Sequence, residues 1–394
     1  MIVTSTYKDL KQIIHGKKIP FVICDKEAFN YNLHLVGEFL RSKKKKLRLC
    51  TKSVRVPKLI HEVVQQDFVN GLFCFNSAEL LFYAEEYKIE DLLLGYPIMS
   101  DIDAQELAKA ASVDEKIKVS VMADSKEHLE ILEKAAKQSD VEFSIILEMD
   151  VADSLLGMNI GVYRSPLRTP KEIVELAREV ENYPHLTYKG IMGYEAQNAS
   201  LGDDKWLYRV IKKRSRTKVN KWRQEIVDSL TSAGLTPEIV NGGGSGSFQE
   251  TASEPSITEI GIGSLLFKSY IFDAINTLKD FIPALFFVLQ VVRKPKKNIV
   301  TAFSGGYVSS GVRAPPIPVK PENLKTIKNE GFGEVQTPFV FNPNKIDLTL
   351  GDPIFCRFGK AGEPLERFNE VHIYSEGTLI DTYPTYRGLG YRFS

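Results

Sequence analysis

Cysteine is scarce, and none of it stands at metal-ligand spacing. The four cysteines, Cys24, Cys50, Cys74 and Cys356, form no C-x-x-C and no Cys/His zinc pattern. In a chain of 394 residues that excludes a disulfide framework and points to reduced thiols. The six histidines are scattered, with no metal-ligand spacing among them. A surplus of one charge is missing too: the net charge is +1, so no global field draws nucleic acid or an anionic membrane. The most apolar run, Phe281 to Val292, is too short to span a bilayer. The N-terminus lacks the basic-then-apolar order of a signal peptide. H-E-x-x-H, G-x-S-x-G, a Walker loop and a dinucleotide fingerprint in a suitable context are all absent. What remains is an ordinary soluble chain, expected in the cytoplasm and without nucleic-acid or membrane partners.

Against these absences stands Leu47-Arg48-Leu49-Cys50-Thr51-Lys52-Ser53. It reads as a strand, and alternation puts Arg48, Cys50 and Lys52 on the face opposite Leu47 and Leu49. From there strand and helix alternate. Further strands are expected at Gly71–Phe75, Asp91–Gly95, Ile117–Met122, Glu142–Asp150, Thr187–Glu195, Glu238–Asn241 and Ile257–Ile260. With the lysine strand that makes the eight of a parallel (β/α)8 TIM barrel. Several helices open with legible caps: Asp124 with Glu127, Thr169 with Pro170 and Glu172, and Ser100 with Asp103. After about Phe272 helical periodicity fades and short β-rich runs follow, so a second, C-terminal all-β domain is expected. The expected division is 26–275 for the barrel and 1–25 plus 276–394 for the β-rich domain, with Pro315–Pro321 as a loop or linker.

A lysine closing a barrel strand points into the mouth, where barrels keep their chemistry. Desolvation there is expected to depress its pKa and so favour the neutral, nucleophilic amine. Asn241-Gly242-Gly243-Gly244-Ser245-Gly246-Ser247 follows the seventh strand and Gly261-Ile262-Gly263-Ser264 the eighth. Loops after those two strands recurrently build a phosphate site, and glycine lets backbone N–H groups approach an anion. Glu148 and Asp150 alternate inward at the top of the fifth strand, free to orient Arg48 or a ligand amine, or to form an ion pair. Tyr194 occupies the same level on the sixth. The Lys205–Arg223 stretch carries nine Lys or Arg. It reads as a solvated outer helix face, with Trp206, Leu207, Val210 and Ile211 turned inward.

These motifs together resemble the fold-type III pyridoxal phosphate enzymes, the alanine racemase-like barrels. The Leu47–Ser53 stretch is similar to the R-x-x-x-K strand of the D-threonine aldolase and D-serine dehydratase branch. Gly242–Ser247 is similar to its Gly-Gly-x-Gly loop, and Thr258–Ser264 to its T-E-x-x-x-G-S/T segment. Gly333–Pro338, Lys360–Glu363 and Pro384–Gly388 resemble C-terminal signatures of the amino acid deaminase/aldolase group. The resemblance implies pyridoxal 5′-phosphate as cofactor, with Lys52 as Schiff-base lysine. It places the phosphate on Gly243, Gly244, Ser245, Gly246, Gly263 and Ser264, with Tyr194 packing the ring and Arg164 and Arg387 binding a substrate carboxylate. Where D-serine dehydratases carry His-x-Cys zinc ligands stand Phe358 and Lys360, so no zinc is expected. Lys360 and Glu363 become the candidates for work on the substrate side chain. Gly261 stands where alanine racemases set an arginine against the pyridine nitrogen. The implied activity is a lyase of deaminase/aldolase type on a D-configured, β-hydroxy amino acid, in a homodimer. Alternatives are a racemase, with Tyr307, Tyr383 or Tyr386 as second base, and a non-catalytic cofactor-binding protein.

Overall fold

The computed structural model describes residues 1–155, 158–199, 202–203, 206–309 and 315–393. The chain divides into two compact units. One comprises Met1–Val36, Ser53–Leu59 and Ser264–Arg392, and the other Gly37–Lys52 and Ile60–Gly263 with Phe393. In chain order the first strands are β1 (Phe21–Asp25), β2 (Lys46–Cys50), β3 (Val69–Cys74), β4 (Asp91–Leu94), β5 (Lys118–Ala123) and β6 (Phe143–Glu148). A short antiparallel pair follows, β7 (Asp153–Leu155) and β8 (Met158–Ile160), then β9 (Leu186–Gly193), β10 (Ile239–Gly242) and β11 (Glu259–Ile262).

Eight of these close a barrel in the order β10-β11-β2-β3-β4-β5-β6-β9, each neighbour parallel. They are the eight strands expected. Several of them, such as Asp91–Leu94 and Phe143–Glu148, are the apolar runs that suit strands covered on both faces. Phe73, Leu93, Met122, Ile146 and Met192, one from each of five strands, pack as a single cluster that fills the barrel. Alternation from those positions puts Cys50, Asn241 and Gly261 on the same inner face.

The other unit is built on a nine-stranded sheet. It holds β12 (Leu285–Lys296), β13 (Ile299–Phe303), β14 (Ile317–Lys320), β15 (Lys325–Thr326), β16 (Gln336–Val340), β17 (Pro353–Arg357), β18 (Glu370–Ser375) and β19 (Thr378–Pro384). The ninth strand is β1, antiparallel to β12 and parallel to β18. Ile2, Leu10, Phe21, Ile23, Phe286, Val288 and Phe355 form the core on one face of this sheet. A barrel plus a mostly antiparallel sheet is the expected fold class.

Four local expectations need correction. Lys52 is not the end of a strand: β2 stops at Cys50, and Thr51–Ser53 is one turn of 3-10 helix. The Thr51 hydroxyl, 2.8 Å from Glu79 and 3.1 Å from the Phe73 carbonyl, pins that turn. Asp124 caps no helix; the N-cap of Lys126–Ser139 is Ser125, and Asp124 pairs with His128 at 3.1 Å. Within Pro315–Pro321, Ile317–Lys320 is a strand paired with β17. The basic helix, Trp206–Ser232, exposes Trp206 (68%) and Val210 (54%), and the side chain of Leu207 lies outside the described residues. Its buried face instead carries Lys212, Ser215, Val219, Arg223, Ile226 and Leu230, so two of its cations point inward.

Candidate active site

Each of those buried cations has an acid to meet. Lys212 pairs with Asp203 at 2.8 Å. Arg223, fully buried, reaches Glu195 and the Gly193 carbonyl, both at 3.1 Å, and contacts Glu254 closely. Glu195 in turn accepts the Gly243 N–H at 3.2 Å and a hydrogen bond from the Thr251 hydroxyl. The loop after β10 is therefore anchored from below by a carboxylate that a guanidinium neutralises. Two glycines here are constrained, Gly243 in the loop by its backbone and Gly242 at the end of β10 by its neighbours. Gly243 has φ +78°, and a Cβ on Gly242 would come within 3.0 Å of the Arg223 Nη2.

Deeper in the barrel, Arg48 forks onto Glu259, with Nε at 2.5 Å and Nη2 at 3.0 Å, and reaches Asp91 at 2.6 Å. Burial disfavours the Arg48 charge, but Glu259 and Asp91 outweigh it and raise its pKa. Asn241 donates to Glu259 at 2.9 Å. Arg48 is thus held by these two acids and not by Glu148 or Asp150. Asp150 pairs with Arg168 at 2.5 Å.

Lys52 Nζ donates to the Tyr96 hydroxyl at 2.5 Å. Burial pulls the amine pKa down, but Tyr96, Cys50 and Tyr194 raise it by more. The depressed pKa expected from desolvation alone is therefore overturned by a neighbour. Tyr96 itself was not anticipated. It follows Gly95, where a Cβ would fall 1.7 Å from the Phe73 ring. Tyr194 lies under the Arg164 guanidinium, 5.2 Å from ring centroid to Cζ. Glu148 is 6% exposed. Burial, reinforced by Asp124 and Asp150, pushes its pKa up to about 7 against the pull of Arg164 and Lys52. Cys50 is pushed up to about 11 by burial.

The remaining expected residues are placed as follows. Gly243, Gly244, Ser245 and Gly246 form the loop after β10, and Gly263 directly follows β11. Ser264 starts a 3-10 turn in the other unit, its hydroxyl 3.2 Å from that of Ser53. Lys360, Glu363 and Arg387 belong to that other unit, Lys360 half-buried and the other two exposed. Phe358 packs on Phe287 with centroids 4.7 Å apart, and Tyr307 and Phe368 complete that aromatic cluster. Tyr383 and Tyr386 are buried in the same unit.

A sequence model described as alanine racemase, N-terminal domain, matches residues 24–270. The chain belongs to that family. These are the pyridoxal phosphate barrels of fold type III to which the motifs pointed, and pyridoxal 5′-phosphate is the cofactor. The 3-hydroxy-D-aspartate aldolase of Paracoccus denitrificans (strain Pd 1222) is 25% identical over 319 residues, 78% of this chain and 77% of the relative. The D-threonine aldolase of an Arthrobacter species is 21% identical over 303 residues, 75% and 74% of the two chains. The crystal structure of D-threonine aldolase from Filomicrobium marinum superposes with a TM-score of 0.83 at 19% identity, covering 95% of this chain and 96% of that one.

The residues of the barrel fit this cofactor. An aldehyde calls for a primary amine in the mouth, which Lys52 supplies, and a phosphate calls for N–H and hydroxyl donors, which Gly244, Ser245 and Gly246 carry. Position 261 is glycine, and a Cβ there would crowd Cys50 Sγ at 3.3 Å.

Proposed function

We propose that the protein is a pyridoxal phosphate-dependent lyase that cleaves the Cα–Cβ bond of a β-hydroxy D-amino acid, or removes its amino group. The observation that carries this reading is the Lys52 amine, placed beside Tyr96 in a barrel whose glycine loop is anchored by Glu195. The relatives named above as aldolases of 3-hydroxy-D-aspartate and D-threonine support the substrate class.

When bound, the cofactor supplies an electron sink that lets a bond to the substrate Cα break heterolytically. Lys52 would hold the cofactor by its aldehyde group and would be the base that takes or returns a proton at the substrate Cα. Gly243, Gly244, Ser245, Gly246, Gly263 and Ser264 are proposed to bind the phosphate, and Tyr194 to pack the ring. Aldol cleavage needs a base for the β-hydroxyl. Glu148, poised near neutrality in the barrel, suits that task, and Lys360 and Glu363 remain the candidates from the β-rich unit. Phe358, packed among rings, offers no metal ligand. Arg164, already over Tyr194, is proposed to meet the substrate carboxylate, with Arg387 as second candidate. Racemisation has less support, because the similar relatives are named for cleavage. We further propose domain limits of 26–275 and 1–25 plus 276–394, a homodimer, and a cytoplasmic setting that suits four free cysteines.

Absorbance of the purified protein tests the core of this reading. A band at roughly 410–430 nm, fixed to the chain by borohydride and missing from Lys52→Ala, is expected. With β-hydroxy D-amino acids, aldehyde release identifies aldol cleavage, and release of ammonia with an oxo acid identifies deamination. A wild-type protein with no such band after added cofactor would overturn the reading.

A further inference from the structure

We propose that Tyr96 is a positioning residue for Lys52: its hydroxyl accepts a hydrogen bond from the Lys52 ammonium and holds that amine in place until a carbonyl ligand arrives. This rests on the proposed role of Lys52 and assigns a second residue to the same chemistry.

The geometry of the contact carries the inference. Lys52 Nζ is 2.5 Å from the Tyr96 oxygen and 5.2 Å from the ring centroid. The amine therefore lies beyond the hydroxyl, along the ring's C–O axis. This is a hydrogen bond and not a cation stacked on a π face. The ring is fixed from behind, edge-on to Phe73 with centroids 6.3 Å apart at 87°. Gly95 brings the backbone in where any side chain would strike Phe73. The hydroxyl accepts from the ammonium, so the contact favours the protonated amine.

Three other ionisable groups among the described residues lie near this pair. Cys50, on β2, is held as a neutral thiol by burial, and burial likewise raises Tyr194, beyond β9. Glu148, on β6, feels the Lys52 charge, but its own surroundings are Arg164, Asp124 and Asp150. Burial alone would favour the neutral Lys52 amine, and Tyr96, which accepts a hydrogen bond from it, is among the neighbours that counter this, with Cys50 and Tyr194. Capture of an aldehyde needs the neutral form. The Nζ lone pair then adds to the carbonyl carbon, a C=N bond forms, and the oxygen leaves as water with both nitrogen protons. The ammonium's extra proton passes to solvent beforehand, so no further reactant is required.

The test uses full-length protein stripped of cofactor, and measures pyridoxal 5′-phosphate capture against pH by borohydride fixation and peptide mass. In Tyr96→Phe the midpoint for capture is expected to fall by about one pH unit, with capture near pH 7.5 roughly tenfold faster. Thermal melting and circular dichroism report whether the variant is folded, and Tyr96→Leu provides a second removal of the hydroxyl. Folded variants whose capture profile coincides with wild type, while Lys52→Ala captures nothing, would overturn the role of Tyr96 and leave Lys52 standing. Capture by Lys52→Ala at another lysine would overturn both.

Discussion

A carboxyl held protonated by its surroundings leaves a mark on stability, and Glu148 is the residue where that mark can be read. Its pKa rises from 4.5 to about 7 in the fold, with burial the largest cause. Between those values the folded chain keeps a proton that the unfolded chain has lost. By linkage, stability falls as pH rises through that window and the penalty is fully present above it. Glu148→Gln removes the ionisable group and keeps the shape. The variant is expected to match wild type near pH 4 and to exceed it near pH 8, by at most about 3 kcal/mol. Thermal melting at the two pH values measures this, and equal melting at both would mean that Glu148 ionises without cost. The sequence placed Glu148 on the inner face by alternation. It could not supply the companions, because Asp124 and Arg164 come from other segments and only the closed barrel sets them around one carboxyl.

At the scale of elements, the regular parts were legible and the turns were not. Eight strands and the Thr169–Glu172 capping box came from periodicity and cap chemistry, both local properties. Lys52 moved off its strand because of Thr51, whose partners on and beyond β3 no local pattern reveals. Tyr96 was missed because Gly95-Tyr96-Pro97 reads as a turn and nothing more. The Trp206–Ser232 helix failed differently. Counting its cations suggested a solvated face, whereas Arg223 is buried between Glu195 and Glu254, each about thirty residues distant. This cluster carries its own prediction. Arg223→Met leaves two buried carboxylates facing each other, and is expected to cost about 3–5 kcal/mol. Since Glu195 also holds the Gly243 N–H, affinity for pyridoxal phosphate should fall as well. Urea denaturation and equilibrium cofactor titration are the measurements. A destabilised variant that binds cofactor as wild type does would show that the cluster supports the helix and not the loop.

At the scale of the molecule, the chain does not use its sequence order as its spatial order. β1 comes from the first twenty-five residues, yet it sits inside a sheet otherwise built from residues after 284. The sequence reading allowed for this strand by placing residues 1–25 in the β-rich domain. Its neighbours could not be named, because pairing between β1 and β12 or β18 spans hundreds of residues and has no local signature. The consequence is a dependence of the sheet on the N-terminus. Without β1, the β12 and β18 edges each lose a row of partners, and Phe286, Val288 and Phe355 lose Phe21 and Ile23 from their core. Exposed strand edges beside apolar side chains invite aggregation. A chain starting at Lys26 is therefore expected to aggregate or to lose its cooperative melting transition, although every proposed barrel residue is retained. A milder form, Ile23→Asp in the full chain, buries an unpaired charge at the same place and should lower the melting temperature sharply. If either variant melted with wild type, β1 would be an ornament of the sheet and not its centre.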